Sequence, residues 1–171
     1  TDGSTADSNW AVWSNALTTG YNLFINSNSA EYNGNGTWFG STPSTSTTFG
    51  ASVSNASAKT YVAYLFATCA GVSKVGSYTG TAALQTVNCG FTSGARFVMI
   101  KRTDTTGAWY YYDSARGISS GDDPYLIMNT DAVEVTNTNY VDTDTTGFKV
   151  TAAAPADLNA SGGTYIFLAI A

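Results

Sequence analysis

Glu31 and Glu134 are the only glutamates in the chain, and they are where a search for acid–base chemistry starts. Glycoside hydrolysis uses two carboxylates held roughly 5 to 9 Å apart across one sugar. These two instead fall at equivalent positions of an internal repeat, described below, where one residue type is expected to do the same local job twice. No strand carries the alternating acids of a sandwich-fold glucanase, so the sequence reads as a non-enzyme. Histidine is absent, which removes the commonest general base and the commonest metal ligand. The segment DTDTTG (142–147) has the acid spacing that opens a calcium loop but lacks the later bidentate glutamate. Asp, Thr and Gly are also what a turn between strands wants, and GDDP (121–124) reads the same way. No metal site and no cofactor is expected. Cys69 and Cys89 cannot close a zinc site alone. They form one disulfide if adjacent strands carry them, and otherwise remain two buried thiols.

Charge is concentrated in Lys101-Arg102-Thr103-Asp104 and Asp113-Ser114-Ala115-Arg116. The plain reading is ion pairs between neighbouring strand ends, worth little at a surface. The sharper reading makes Asp113 and Arg116 a polar rim for a sugar or a partner, with Arg116 stacking on a tyrosine. Aromatic residues are the other recognition chemistry. Trp38 and Phe39 sit in the Gly/Asn-rich stretch NGNGTWFG (33–40), and Tyr140 matches Trp38 in the second half of the chain. Exposed rings on loops stack against sugar C–H faces, whereas buried ones plug the ends of a sandwich. In AWYYYD (108–113) alternate side chains face opposite ways, so Trp109 and Tyr111 share one face and Tyr110 and Tyr112 the other. Trp10 and Trp109 are expected in the core. Trp13, Tyr110 and Tyr112 are expected to carry half-exposed rings, and with Trp38, Phe39, Asp113, Arg116 and Tyr140 they form the candidate ligand or partner surface.

Composition limits the partners. The 171 residues are 43% hydrophobic but only 11% charged, with a net charge of −5. The surface must therefore be Thr, Ser, Asn and Gly, a chemistry common in secreted and virion β-proteins. Seven basic residues are scattered without a stripe, which argues against nucleic acid. No apolar run is long enough for a membrane span.

Helical periodicity is absent. Short β-rich runs alternate with Gly, Asn, Asp, Ser and Thr clusters, and the three prolines sit in loops. Strands are predicted at 10–14, 21–26, 60–69, 75–80, 95–102, 108–113, 125–130, 147–152 and 164–171, the pattern of an all-β sandwich. The chain also repeats itself. NWAVWS (9–14) aligns with AWYYYD (108–113), YNLFINSNSAE (21–31) with PYLIMNTDAVE (124–134), and NASAKTYVAYLFA (55–67) with NASGGTYIFLAIA (159–171). The sequons at Asn55 and Asn159 share a repeat position and read as a turn before the strand; a third sequon lies at Asn35.

The repeat predicts a gap. In the second copy ARFVMIKR leads into Trp109, and no counterpart leads into Trp10. That strand is expected either in polypeptide ahead of Thr1, making this the C-terminal part of a longer chain, or from another chain. A complete sheet without an open edge at that place would rule this out.

YVAYLFATCAGVSKVGSYTG, CGF, ARFVMIKRTDTTGAWYYYDSARG and NASGGTYIFLAIA together resemble a module of phage tail-fibre and other virion surface proteins, of marine and cyanobacterial phage type. The resemblance covers nearly the whole chain from Trp10 onward. It implies a concanavalin A-like jelly-roll sandwich, spanning 1–171 as one domain built from two half-repeats. It implies a place on the virion surface, as a tail-fibre or capsid decoration module that assembles with itself or other virion proteins, or alternatively a lectin-like module that recognises host glycans. It supplies no catalytic residues. Cys89 lies outside the family pattern, so a bridge to Cys69 would be particular to this chain.

Overall fold

A computed structural model describes residues 9–34, 38–40, 45, 47–52 and 57–171. Asn35, Asn55 and Pro43 lie outside the described residues. The strands are β1 (Ala11–Val12), β2 (Tyr21–Phe24), β3 (Tyr32–Asn33), β4 (Ser73–Thr79), β5 (Gln85–Asn88), β6 (Phe97–Arg102), β7 (Trp109–Asp113), β8 (Leu126–Ile127), β9 (Val141–Asp144), β10 (Gly147–Val150) and β11 (Thr164–Ile170). One helical turn, α1 (Ala156–Asn159), precedes the last strand.

Residues 73–171, which contain the second copy, form an all-β sandwich. A five-stranded sheet runs β4-β11-β6-β7-β8, and a three-stranded sheet runs β5-β10-β9; every pairing is antiparallel. Alternation decides what faces inward. Val98, Ile100, Tyr110, Tyr112, Tyr165 and Phe167 of the larger sheet share one core with Val87, Phe148 and Val150 of the smaller. Asn159 ties the ends together. Its Oδ1 accepts from Thr81 N and Gln85 Nε2, and its Nδ2 donates to the carbonyls of Ala83 and Thr151. The turn expected there is therefore a buried polar hinge with both ends of its amide satisfied. The segment 142–147 is the β9–β10 hairpin turn, in which Asp144 Oδ1 accepts from Thr146 N and Oγ1.

The first copy contributes the sheet β1-β2-β3, which lies on the outer face of β6, β7 and β11. Leu17 and Leu23 pack there with Trp109 and Ile166, and Met99 and Val12 border them. Backbone bonds stitch the copies: Glu31 N donates to Thr103 O and Gly107 N to Asn28 O, at 2.9 and 2.8 Å. β11 is thus covered on both faces, which its near-continuous apolar sequence suits.

The repeat is real at the level of register. Ala11 pairs with Phe24 and Val12 with Leu23; in the second copy Tyr110 pairs with Ile127 and Tyr111 with Leu126. Asn22 pairs with Tyr32 as Tyr125 does with Val135. Trp10 N donates to Asn26 Oδ1 as Trp109 N does to Asn129 Oδ1. Ile25 N donates to Trp10 O as Met128 N does to Trp109 O.

Several expectations are corrected. Residues 60–69 form no strand; among the described residues an isolated Cys69–Ser73 bridge is their sole ladder contact, and positions 61–70 are exposed throughout. A strand is a pairing rather than a composition, and the neighbours that flank β11 have no counterparts here among the described residues. Trp10 is 41% exposed, not core, because no described sheet covers the face that the first copy covers for Trp109. The two cysteines are free, Cys69 exposed and Cys89 buried. Cys69 lies beside the β4 edge and Cys89 at the end of β5, in the opposite sheet, so adjacent strands do not carry them. Burial pushes the Cys89 thiol up to about 11, which keeps it protonated and inert. β3, β5 and β9 went unpredicted because Thr, Asn and Asp leave no apolar alternation to read.

Candidate functional site

The predicted aromatic surface divides into three places. Tyr110 and Tyr112 are 8% and 0% exposed, so they offer no ring face to a ligand; this corrects the expectation of half-exposed rings. Their strand face is the one turned toward the smaller sheet, where both rings pack on Tyr125, at 5.0 and 5.6 Å between centroids. Tyr140 is half-buried against the same Tyr125 at 5.9 Å, closing that end of the sandwich. Trp13, Trp38 and Phe39 do come together, around a crevice of about 10 Å³ with Tyr21 and Asn22. That volume holds a single water at most. Trp38 stands edge-on to Phe24 at 5.3 Å, and Trp13, Trp38 and Phe39 are all half-buried, as expected for Trp13.

The charge clusters are local. Arg116 forms ion pairs with Asp113 and, at 3.2 Å, with Glu134, and its guanidinium lies 5.3 Å from the Tyr111 ring centre. Glu134's repeat partner Glu31 accepts from Thr18 N and Oγ1 at 3.0 and 2.6 Å. Each glutamate therefore ties down the loop that follows its copy's first strand, the shared job expected from the repeat. Arg102 makes a two-pronged pair with Asp104, at 2.8 and 3.0 Å, which draws the Asp104 carboxyl below its usual range.

Two buried ionisable groups lay beyond sequence reasoning. Lys101 is fully buried beneath the first copy, its Nζ donating to Arg102 O at 2.6 Å and Asn28 O at 3.4 Å, and burial lowers it to about 8. Asp123 is fully buried in the 121–124 turn. Its Oδ1 accepts from Ser119 N at 3.1 Å, while its Oδ2 and the Tyr112 hydroxyl are buried without partners. Burial, with Asp142 and Asp122 nearby, raises the Asp123 carboxyl to about 6. No group of three metal-ligating side chains occurs among the described residues. Nor is any described helix long and apolar enough to cross a membrane.

A concave site does exist, away from all these residues. β4 and β5 are the neighbouring edges of the two sheets, and between them opens a cleft of about 410 Å³. Lys74, Gln85, Thr86 and Asn88 line it, over a floor that includes Phe167. Gly76 lies over that buried ring: a Cβ there would sit 2.9 Å from Phe167, so the close approach requires glycine. Gln85 is held in place by Asn159 and Asn88 by Gly90 N. An ammonium, a hydroxyl and amides around the cleft suit a ligand rich in hydroxyls. The one sequence signal was a glycine inside an otherwise regular strand.

These features define a class: an all-β sandwich with a second, partial copy of its own strand unit seated on its outer face. The chain belongs to the family described as "Domain of unknown function (DUF7483)", whose model matches residues 2–171. No curated protein and no solved structure matches it.

Proposed function

We propose that this protein is a structural module of a phage virion surface, of tail-fibre or capsid-decoration type, that works by packing copies of its strand unit on one another and on other virion proteins. The seating of β1-β2 on the outer face of β6, β7 and β11, with Trp109 between them, carries this reading. It is the packing of a repeat array, in which each unit buries what its neighbour leaves open. A charge-poor, Thr- and Asn-rich surface supports the same role. The reading assigns no catalysis, because both glutamates are engaged in loop contacts. Antibodies raised to the purified chain should decorate intact phage particles under the electron microscope. Antigen found in infected lysate, with bare particles, would overturn the proposal.

The β4–β5 cleft favours host-glycan binding as the second reading. Labelled chain should then adsorb saturably to host cells, and Lys74→Ala combined with Asn88→Ala should abolish adsorption at an unchanged unfolding temperature. Adsorption that survives that double substitution would remove the cleft from consideration.

A further inference from the structure

We propose that the first copy contains an open β-strand slot, between β1 and Val62–Phe66, that accepts an added strand of the sequence type of β6. In the second copy β6 lies between β11 and β7 and pairs with both. The shared registers make β1 the counterpart of β7, and residues 60–67 carry the sequence of β11. The place between them is where a counterpart of β6 belongs.

Both flanks are prepared for one. β1 pairs with β2 alone, which leaves its other edge open among the described residues. Across the gap, Val62, Tyr64, Leu65 and Phe66 are 67%, 70%, 72% and 57% exposed. Among the described residues, Val62–Phe66 takes part in no strand ladder. A run this apolar beside an unpaired edge is what natural sheets otherwise blunt or cover. The flanks also face each other already, with the Trp10 and Tyr64 rings stacked at 6.4 Å. Their counterparts Trp109 and Leu168 both lie on the outer face of the complete sheet, either side of β6.

The second copy dictates the occupant. It runs antiparallel to both flanks, with its C-terminal end beside Trp10, as Lys101 lies opposite Trp109. It is about six residues long, free of proline, and apolar on both faces, as Val98 and Ile100 are on one side of β6 and Phe97 and Met99 on the other. Main-chain bonds supply affinity and side-chain alternation fixes register. A sugar or a charged surface could not satisfy two rows of peptide groups. The proposal does not rest on a virion role and can fail or stand without it.

A fluorescent peptide of sequence GARFVMIKRTD (94–104), titrated into the full chain and followed by anisotropy, tests it. Saturable binding is expected. The peptide with Val98→Pro and Ile100→Pro should bind at least about tenfold more weakly. The chain carrying Leu65→Pro and Phe66→Pro, one of whose amides must face the incoming strand, should lose binding to the same degree while unfolding at an unchanged temperature. Absence of saturable binding, or equal affinity for the double-proline chain, overturns the slot. So does a drop in that chain's own stability, since it would mean the segment was already paired.

Discussion

Replacing Trp109 by alanine will destabilise the protein by about 3–5 kcal/mol, the usual cost of emptying a large buried ring site. The loss will fall on one boundary. Trp109 is 2% exposed, and it is the ring on which Leu17, Leu23 and Ile166 converge. Its Nε1 donates to Phe24 O at 2.9 Å, so the substitution also strands a carbonyl of the first copy. The core between the two sheets lies on the opposite face of β7 and keeps all its side chains. Limited proteolysis should therefore cut the variant within residues 9–34 while residues 73–170 stay resistant. Trp109→Phe should lose only about 1 kcal/mol, the net worth of the single hydrogen bond. Uniform digestion of the alanine variant would mean that the first copy is not a separable layer.

Asp123→Asn will stabilise the protein at neutral pH, an unusual direction for a core substitution. The buried carboxyl titrates at about 6 in the folded chain against 3.8 when free. Its folded pKa lies above the unfolded one, so the native state holds the proton more tightly. Stability on this account is full below pH 4 and falls as pH rises through 6. The difference amounts to about 3 kcal/mol at pH 7. Asparagine keeps the oxygen that Ser119 N needs and never ionises. Urea unfolding should show the variant ahead by up to that amount at pH 7.5 and level with the parent near pH 4. Equal stability at both values would mean that Asp123 is solvated, and that the partnerless Oδ2 is a poor guide to its surroundings.

How far the sequence could be read depended on whether a feature was local to one strand or came from what packed against it. The repeat was legible because each strand pair carries its own register, and three matched pairings and two matched hydrogen bonds follow the aligned sequences. The β9–β10 turn was legible because Asp144 caps it from within. Burial was not. AWYYYD is bulky on both faces, and period alone cannot say which face meets a second layer. Trp10 and Trp109 have the same local pattern and differ because one outer face is covered and the other is not. Val62–Phe66 and β11 differ likewise: similar sequences, one in a ladder on both sides and one, among the described residues, in none. The β4–β5 cleft was illegible because it joins the edges of two sheets, and its floor depends on the absence of a side chain at Gly76.

The central claim is that one sequence unit occurs twice, laddered in full in one place and, among the described residues, without counterparts of β4 and β6 in the other. Amide hydrogen exchange, read by mass spectrometry on peptides covering residues 61–67 and 164–170 of the same sample, tests it most directly. The account predicts strong protection through Tyr165–Ala169, which lies between two ladders, and exchange near the rate of an unstructured peptide through Val62–Phe66. Equal protection of the two segments in the monomeric chain would contradict it.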